Sequence, residues 1–154
     1  VSLKTSKMNI MLKELIAASL TTVVAGTATF ITPSASYASQ YCQCVGYVKN
    51  ALGISQAMGN AKDMIYSLPK HGFRQVSTPT PGAVVVMQTS FPGSDRTYGH
   101  VGFVDSFDAK TGKIKVRGAN QGGRTYHDAG CTNVAVVAFG TPVMNRRDIS
   151  FWVR

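Results

Sequence analysis

The chain has 154 residues, enough for one domain and too few for two of ordinary size. It carries 16 Lys and Arg against 7 Asp and Glu, a net charge of +9, which steers it towards anionic surfaces such as phospholipid or wall polymers. No basic cluster is interleaved with aromatic residues, and this argues against nucleic acid as a partner.

The first stretch reads as a targeting segment. Lys4, Lys7 and Lys13 precede an uncharged run from Leu15 to Ile31, and Ser36-Tyr37-Ala38 places small residues at the two positions a signal peptidase reads. The run is rich in Thr, Ala and Gly, weak for a membrane span. The expectation is a secretory signal peptide over residues 1–38, a domain over residues 39–154, and no membrane span after cleavage. That domain holds thirteen Lys and Arg against six Asp, a net +7; the single glutamate, Glu14, lies in the targeting segment.

After an entry over Ser39–Gln43, the spacing predicts a helix over Cys44–Leu52, with Val45, Val48 and Leu52 on one face and Gly53 as its stop. A turn over Ile54–Ala61 leads into a second helix, whose Ala61, Met64, Ile65 and Leu68 follow the helical template until Pro69 and Gly72. Pro79-Thr80-Pro81-Gly82 is a turn signal, and the texture then changes. Strands are expected over Ala83–Met87, Val101–Phe107, Lys113–Arg117 and Asn133–Phe139. A hairpin connection is expected at Asp108–Lys113, a loop over Phe91–Gly99, and a last strand over Ile149–Val153 with the single Trp152. Helices first and strands after imply an α+β domain with an antiparallel sheet.

Three cysteines remain to be accounted for, Cys42, Cys44 and Cys131. An odd number leaves at least one thiol unpaired in an oxidising compartment. Cys42 and Cys44 are too close in sequence to bridge comfortably. Two states stay open, Cys42 bonded to Cys131 with Cys44 free, or three reduced thiols. His71, His100 and His127 come without paired Cys-x-x-Cys spacing, so neither a metal nor another cofactor is expected.

Cys44 begins a helix, where unpaired amides and the macrodipole favour thiolate over thiol. His100 opens the apolar run Val101-Gly102-Phe103-Val104, and Asn120 follows a second such run. Cysteine, histidine and an amide in that order suggest thiol hydrolysis, the imidazole taking the proton and the amide orienting the ring. His127, beside Tyr126 and Asp128, is a less favoured base, and His71 is a helix-exit residue.

Read together, Gln43-Cys44-Val45-Gly46-Tyr47-Val48, Gly59-Asn60-Ala61-Lys62-Asp63, Pro79-Thr80-Pro81-Gly82-Ala83-Val84, Gly99-His100-Val101-Gly102-Phe103-Val104 and Val116-Arg117-Gly118-Ala119-Asn120 resemble, in order, the CHAP family of cysteine- and histidine-dependent amidohydrolases and peptidases. The resemblance implies a papain-like fold with N-terminal helices packed on the antiparallel sheet. It implies Cys44 as nucleophile, His100 as general base and Asn120 as the orienting amide. The oxyanion site would use the Cys44 N–H, with Gln43 or Tyr41 adding a donor. The implied activity is secreted peptidoglycan hydrolysis at an amide bond, by a monomer acting on peptidoglycan. One departure stands out: many relatives carry an acid two positions before the asparagine, where this chain has Gly118. The rivals are an NlpC/P60-type endopeptidase, an exported wall-binding protein without turnover, and a redox protein using Cys42 and Cys44.

Overall fold

The computed structural model describes residues 42–123 and 134–154. All of these lie in the second of the two units into which the chain divides, residues 35–154. Helix α1, Cys44–Leu52, has the expected bounds, and Gly53 closes it in the left-handed conformation at φ 67°. The second helical stretch is less regular. A 3₁₀ turn, Ala61–Asp63, runs into the short helix α2, Met64–Ser67, and then into another 3₁₀ turn, Leu68–His71. Pro69 has no N–H to give to an α-helical bond, so the last turn tightens.

Among the described residues six strands form one antiparallel sheet: β1 Arg74–Val76, β2 Val84–Met87, β3 His100–Asp108, β4 Lys113–Ala119, β5 Val134–Phe139 and β6 Ile149–Val153. Their order across the sheet is β1-β6-β2-β3-β4-β5. The architecture is α+β, as the sequence implies. Strand β1 is an addition to the expected set; it is a three-residue edge strand with two exposed polar positions, too short to show alternation.

The centre of the sheet, at β2, is buried on both faces, while β4 leaves Lys113, Lys115 and Arg117 exposed on one side. Val84, Val86, Val101 and Trp152 meet Val48 of α1, together with Met64 and Leu68 of the second helical stretch. Their neighbours in the strands, Val85, Met87, Val104, Ile114, Val116 and Phe151, join Phe91, Phe139 and Val143 on the other side. Alternation within the fully buried β2 explains why its sequence is a continuous apolar run. Tyr47 of α1 packs edge-to-face on Phe103 of β3, ring centroids 5.8 Å apart, which ties the helix to the strand beside it.

Phe91 anchors the loop that leads to β3. It is fully buried, its ring centroid lies 5.9 Å from that of Phe139, and the Arg146 guanidinium sits 5.3 Å above it. Phe91→Ala should lower unfolding free energy by about 3–5 kcal/mol. Denaturant titration checks the value, and an unchanged midpoint would show that the loop root does not depend on this ring. Among the described residues no helix is long and apolar enough to cross a membrane.

Candidate active site

Cys44 is the first residue of α1, after Gln43 in an extended conformation. The first helical bond runs from the Tyr47 N–H to the Gln43 carbonyl at 3.0 Å. Cys44 is a free, half-buried thiol, whereas Cys42 is buried and disulfide-bonded. The two do not bridge each other. Cys131 lies outside the described residues.

His100 is the first residue of β3 and is buried. The residue before it must be glycine. Gly99 has φ 74°, and a β-carbon there would stand 2.5 Å from the Met87 carbonyl oxygen. This close approach lets the 91–99 loop deliver the histidine directly into the sheet.

The side chain that meets the imidazole is not the Asn120 expected to orient it. Phe103 pairs with Arg117, so continuing the β3–β4 ladder brings His100 opposite Asn120. But β4 ends at Ala119, and Asn120 adopts a left-handed backbone at φ 56°. That turn leaves Asn120 exposed and sends the next side chain inward. The imidazole Nε2 of His100 meets Gln121 Oε1 at 2.7 Å. Gln121, not Asn120, holds the ring.

The Gln121 amide is itself fixed. Its Nε2 donates to the Val116 and Ala135 carbonyls, both at 2.8 Å. A flipped amide would aim its oxygen at two carbonyl oxygens, so Oε1 must face the histidine as an acceptor. His100 Nε2 therefore carries the proton, and Nδ1 presents a lone pair. Gly118 makes room for this arrangement: a β-carbon there would lie 3.1–3.3 Å from the Gln121 amide atoms. The position that lacks the acid is thus packed against the amide that orients the ring.

Burial dominates the electrostatics. It pushes the Cys44 thiol up, outweighing the lowering effect of the Val101, Val45 and Cys44 backbone N–H groups. The helix N-terminus alone suggests the opposite sign, and desolvation overturns it. Burial also lowers the His100 pKa, against the raising effects of Gln121 and of the Asp95 charge. The resting pair is accordingly a neutral thiol and a neutral imidazole. A histidine whose pKa falls on folding keeps its basic form to lower pH. The acid limb of kcat/KM should therefore lie below the ordinary histidine value of about 6.5. Alkylation of Cys44 by iodoacetamide should climb only above the ordinary thiol range of about 8.5. An alkylation inflection near neutrality would contradict the burial argument.

Cys44, His100, Asn120 and Gln121 share one cleft of about 740 Å³, with Gln43, the 92–95 and 98–99 segments and residues 137–141 completing the wall. Gln43 is exposed at its rim. Tyr41 and His127 lie outside the described residues. His71 is elsewhere; its carbonyl accepts the Arg154 guanidinium at the end of the second 3₁₀ turn.

The CHAP domain family model matches residues 34–120, more than half of the sequence, including Cys44, His100 and Asn120. The chain belongs to the CHAP domain family. Gln121 falls one residue beyond the match. No curated protein matches the chain. Among solved structures, this CHAP domain is similar to a crystal structure of an N-acetylmuramoyl-L-alanine amidase from Staphylococcus aureus, at 22% identity and a TM-score of 0.50. The likeness covers 71% of this chain and 29% of that one, and it establishes a shared fold.

Proposed function

We propose that this CHAP domain is an exported peptidoglycan hydrolase that cleaves an amide bond with Cys44 as nucleophile. The observation that carries the reading is a free thiol at the start of α1 in one cleft with a histidine whose lone pair is fixed by a buried amide. In the proposed mechanism His100 Nδ1 takes the Cys44 proton as sulfur adds to the substrate carbonyl. The Cys44 N–H, with the Gln43 side chain, stabilises the oxyanion. The imidazolium returns its proton to the leaving amine, which departs and leaves a thioester. His100 then removes a proton from water, and hydroxide addition expels the thiolate, which regains that proton.

Peptidoglycan as substrate rests on the family and on the amidase of the same fold. The bond is either the one between N-acetylmuramic acid and L-alanine or one within the wall peptide. Residues 1–38 would serve export and residues 39–154 the chemistry, in a papain-like arrangement of helix and sheet. Purified peptidoglycan treated with residues 39–154 tests this: new free amino groups should appear, and fragment masses name the bond. Silence from the folded domain across several wall types and pH values would remove the hydrolase reading.

A further inference from the structure

We propose that Asp95 is a substrate anchor that recognises a free ammonium group close to the scissile amide. The proposal rests on the hydrolase reading for the meaning of the cleft, and it adds a chemical class to the substrate: an amine-bearing peptide.

Among the described cleft residues, Asp95 is the only one with a carboxylate, and no Lys or Arg lines the wall. This is unusual placement in a domain whose charge is net positive. The other described carboxylates are engaged elsewhere. Asp105 pairs with Arg117 at 2.6 Å and Asp148 with Arg146 at 2.5 Å. Asp63 closes the cap at Asn60, and Asp108 holds the β3–β4 turn.

Asp95 is positioned rather than free to swing. Its Oδ1 accepts the backbone N–H groups of Thr97 and Tyr98, each at 2.8 Å. Its carbonyl accepts the Gly99 N–H at 3.0 Å. Those bonds use one carboxylate oxygen; among the described residues Oδ2 has no hydrogen bond or ion pair. They also favour the ionised form, so the negative charge persists well into acid. Tyr98, 57% exposed, adds an aromatic side chain to the lining of the same cleft. A fixed carboxylate in a cleft that also holds an exposed aromatic residue suits an ammonium group.

The same charge reaches the reacting groups, acting on both Cys44 and His100. It opposes thiolate at Cys44 and supports imidazolium at His100, two effects that offset each other for proton transfer between the pair. Two sources share this chemistry, a diamino acid side chain and a free amino terminus.

Asp95→Asn isolates the charge, because the asparagine Oδ1 can still accept the Thr97 and Tyr98 N–H groups. The probes are synthetic wall peptides containing one L-lysine, prepared free, acetylated on the side chain, acetylated at the amino terminus, and doubly acetylated. Their binding to the full chain carrying Cys44→Ala is measured by calorimetry. A free-amine peptide should bind roughly five- to ten-fold more tightly than the doubly acetylated one. The singly acetylated pair identifies which amine is used. Adding Asp95→Asn should bring the free peptide to the affinity of the doubly acetylated one, which itself should not move. Equal binding of all four peptides, no binding of the free peptide, or a preference that survives Asp95→Asn overturns the anchor. Hydrolysis by the native chain is read separately. Cleavage without amine preference sinks the anchor alone. Amine-selective binding without cleavage of peptide or peptidoglycan leaves the anchor and removes the hydrolase reading.

Discussion

Cys44→Ala should leave a folded domain that still binds peptidoglycan and releases no fragments. The thiol is the bond-forming atom of the proposed route, and losing a nucleophile that acts as a unit with its base costs on the order of 10⁴–10⁶ in kcat. Stability should change little, by about 1 kcal/mol or less, since the half-buried side chain sits at the rim of the helix-side core. The measurement is release of new amino groups from purified wall, beside a thermal melt of the same preparation. Equal release by the native and substituted domains would remove the thiol from the chemistry. It would turn attention to another nucleophile in the cleft.

A second large effect is expected at Gln121. Gln121→Leu keeps most of the side-chain volume and removes the acceptor for His100 together with both donors to Val116 and Ala135. The ring then loses the partner that keeps its proton on Nε2, and the tautomer with Nδ1 blocked becomes accessible. Wrong-tautomer defects at comparable sites reach about 10⁴ in kcat, so a loss of about 10²–10⁴ is expected, with KM little changed. Two carbonyls left without donors should cost about 1–3 kcal/mol of stability. The distinguishing readout is the nitrogen-15 signature of the His100 imidazole, which should show a protonated Nε2 in the native domain and a tautomer mixture in the variant. Asn120→Ala, by contrast, should retain activity within about ten-fold because the residue is exposed and does not hold the ring. The reverse ranking of the two variants would restore Asn120 to the orienting role.

The contrast between those neighbours shows what the sequence could and could not convey. Local chemistry was legible: the 3.6-residue spacing and Gly53 defined α1, and β-branched runs located the central strands. Gly99-His100 was readable as a strand entry because the glycine and the apolar run adjoin. The partner of His100 depended instead on a single backbone angle. Asn120 before Gln121-Gly122-Gly123 is a turn signal, and a left-handed residue there exchanges which of two adjacent amides points inward. Counting along a regular strand selects Asn120; the turn selects Gln121. The sign of the Cys44 shift was hidden for a different reason. A helix N-terminus is visible in sequence, but the burial that outweighs it comes from the packing of α1 on distant strands. Likewise β1 gains its strand identity only by pairing with β6, 75 to 79 residues away in the chain.

The position of β6 bears on how the sheet is completed. The last strand in chain order is inserted between β1 and β2, hydrogen-bonded to both. A nascent chain that has displayed the Cys44 helix and even the His100 strand still has a gap in its sheet. Until Ile149–Val153 pairs, β1 has no ladder partner and β2 keeps only β3, so the strand nearest the helical stretch in sequence joins the sheet solely through the most distant segment of the described domain.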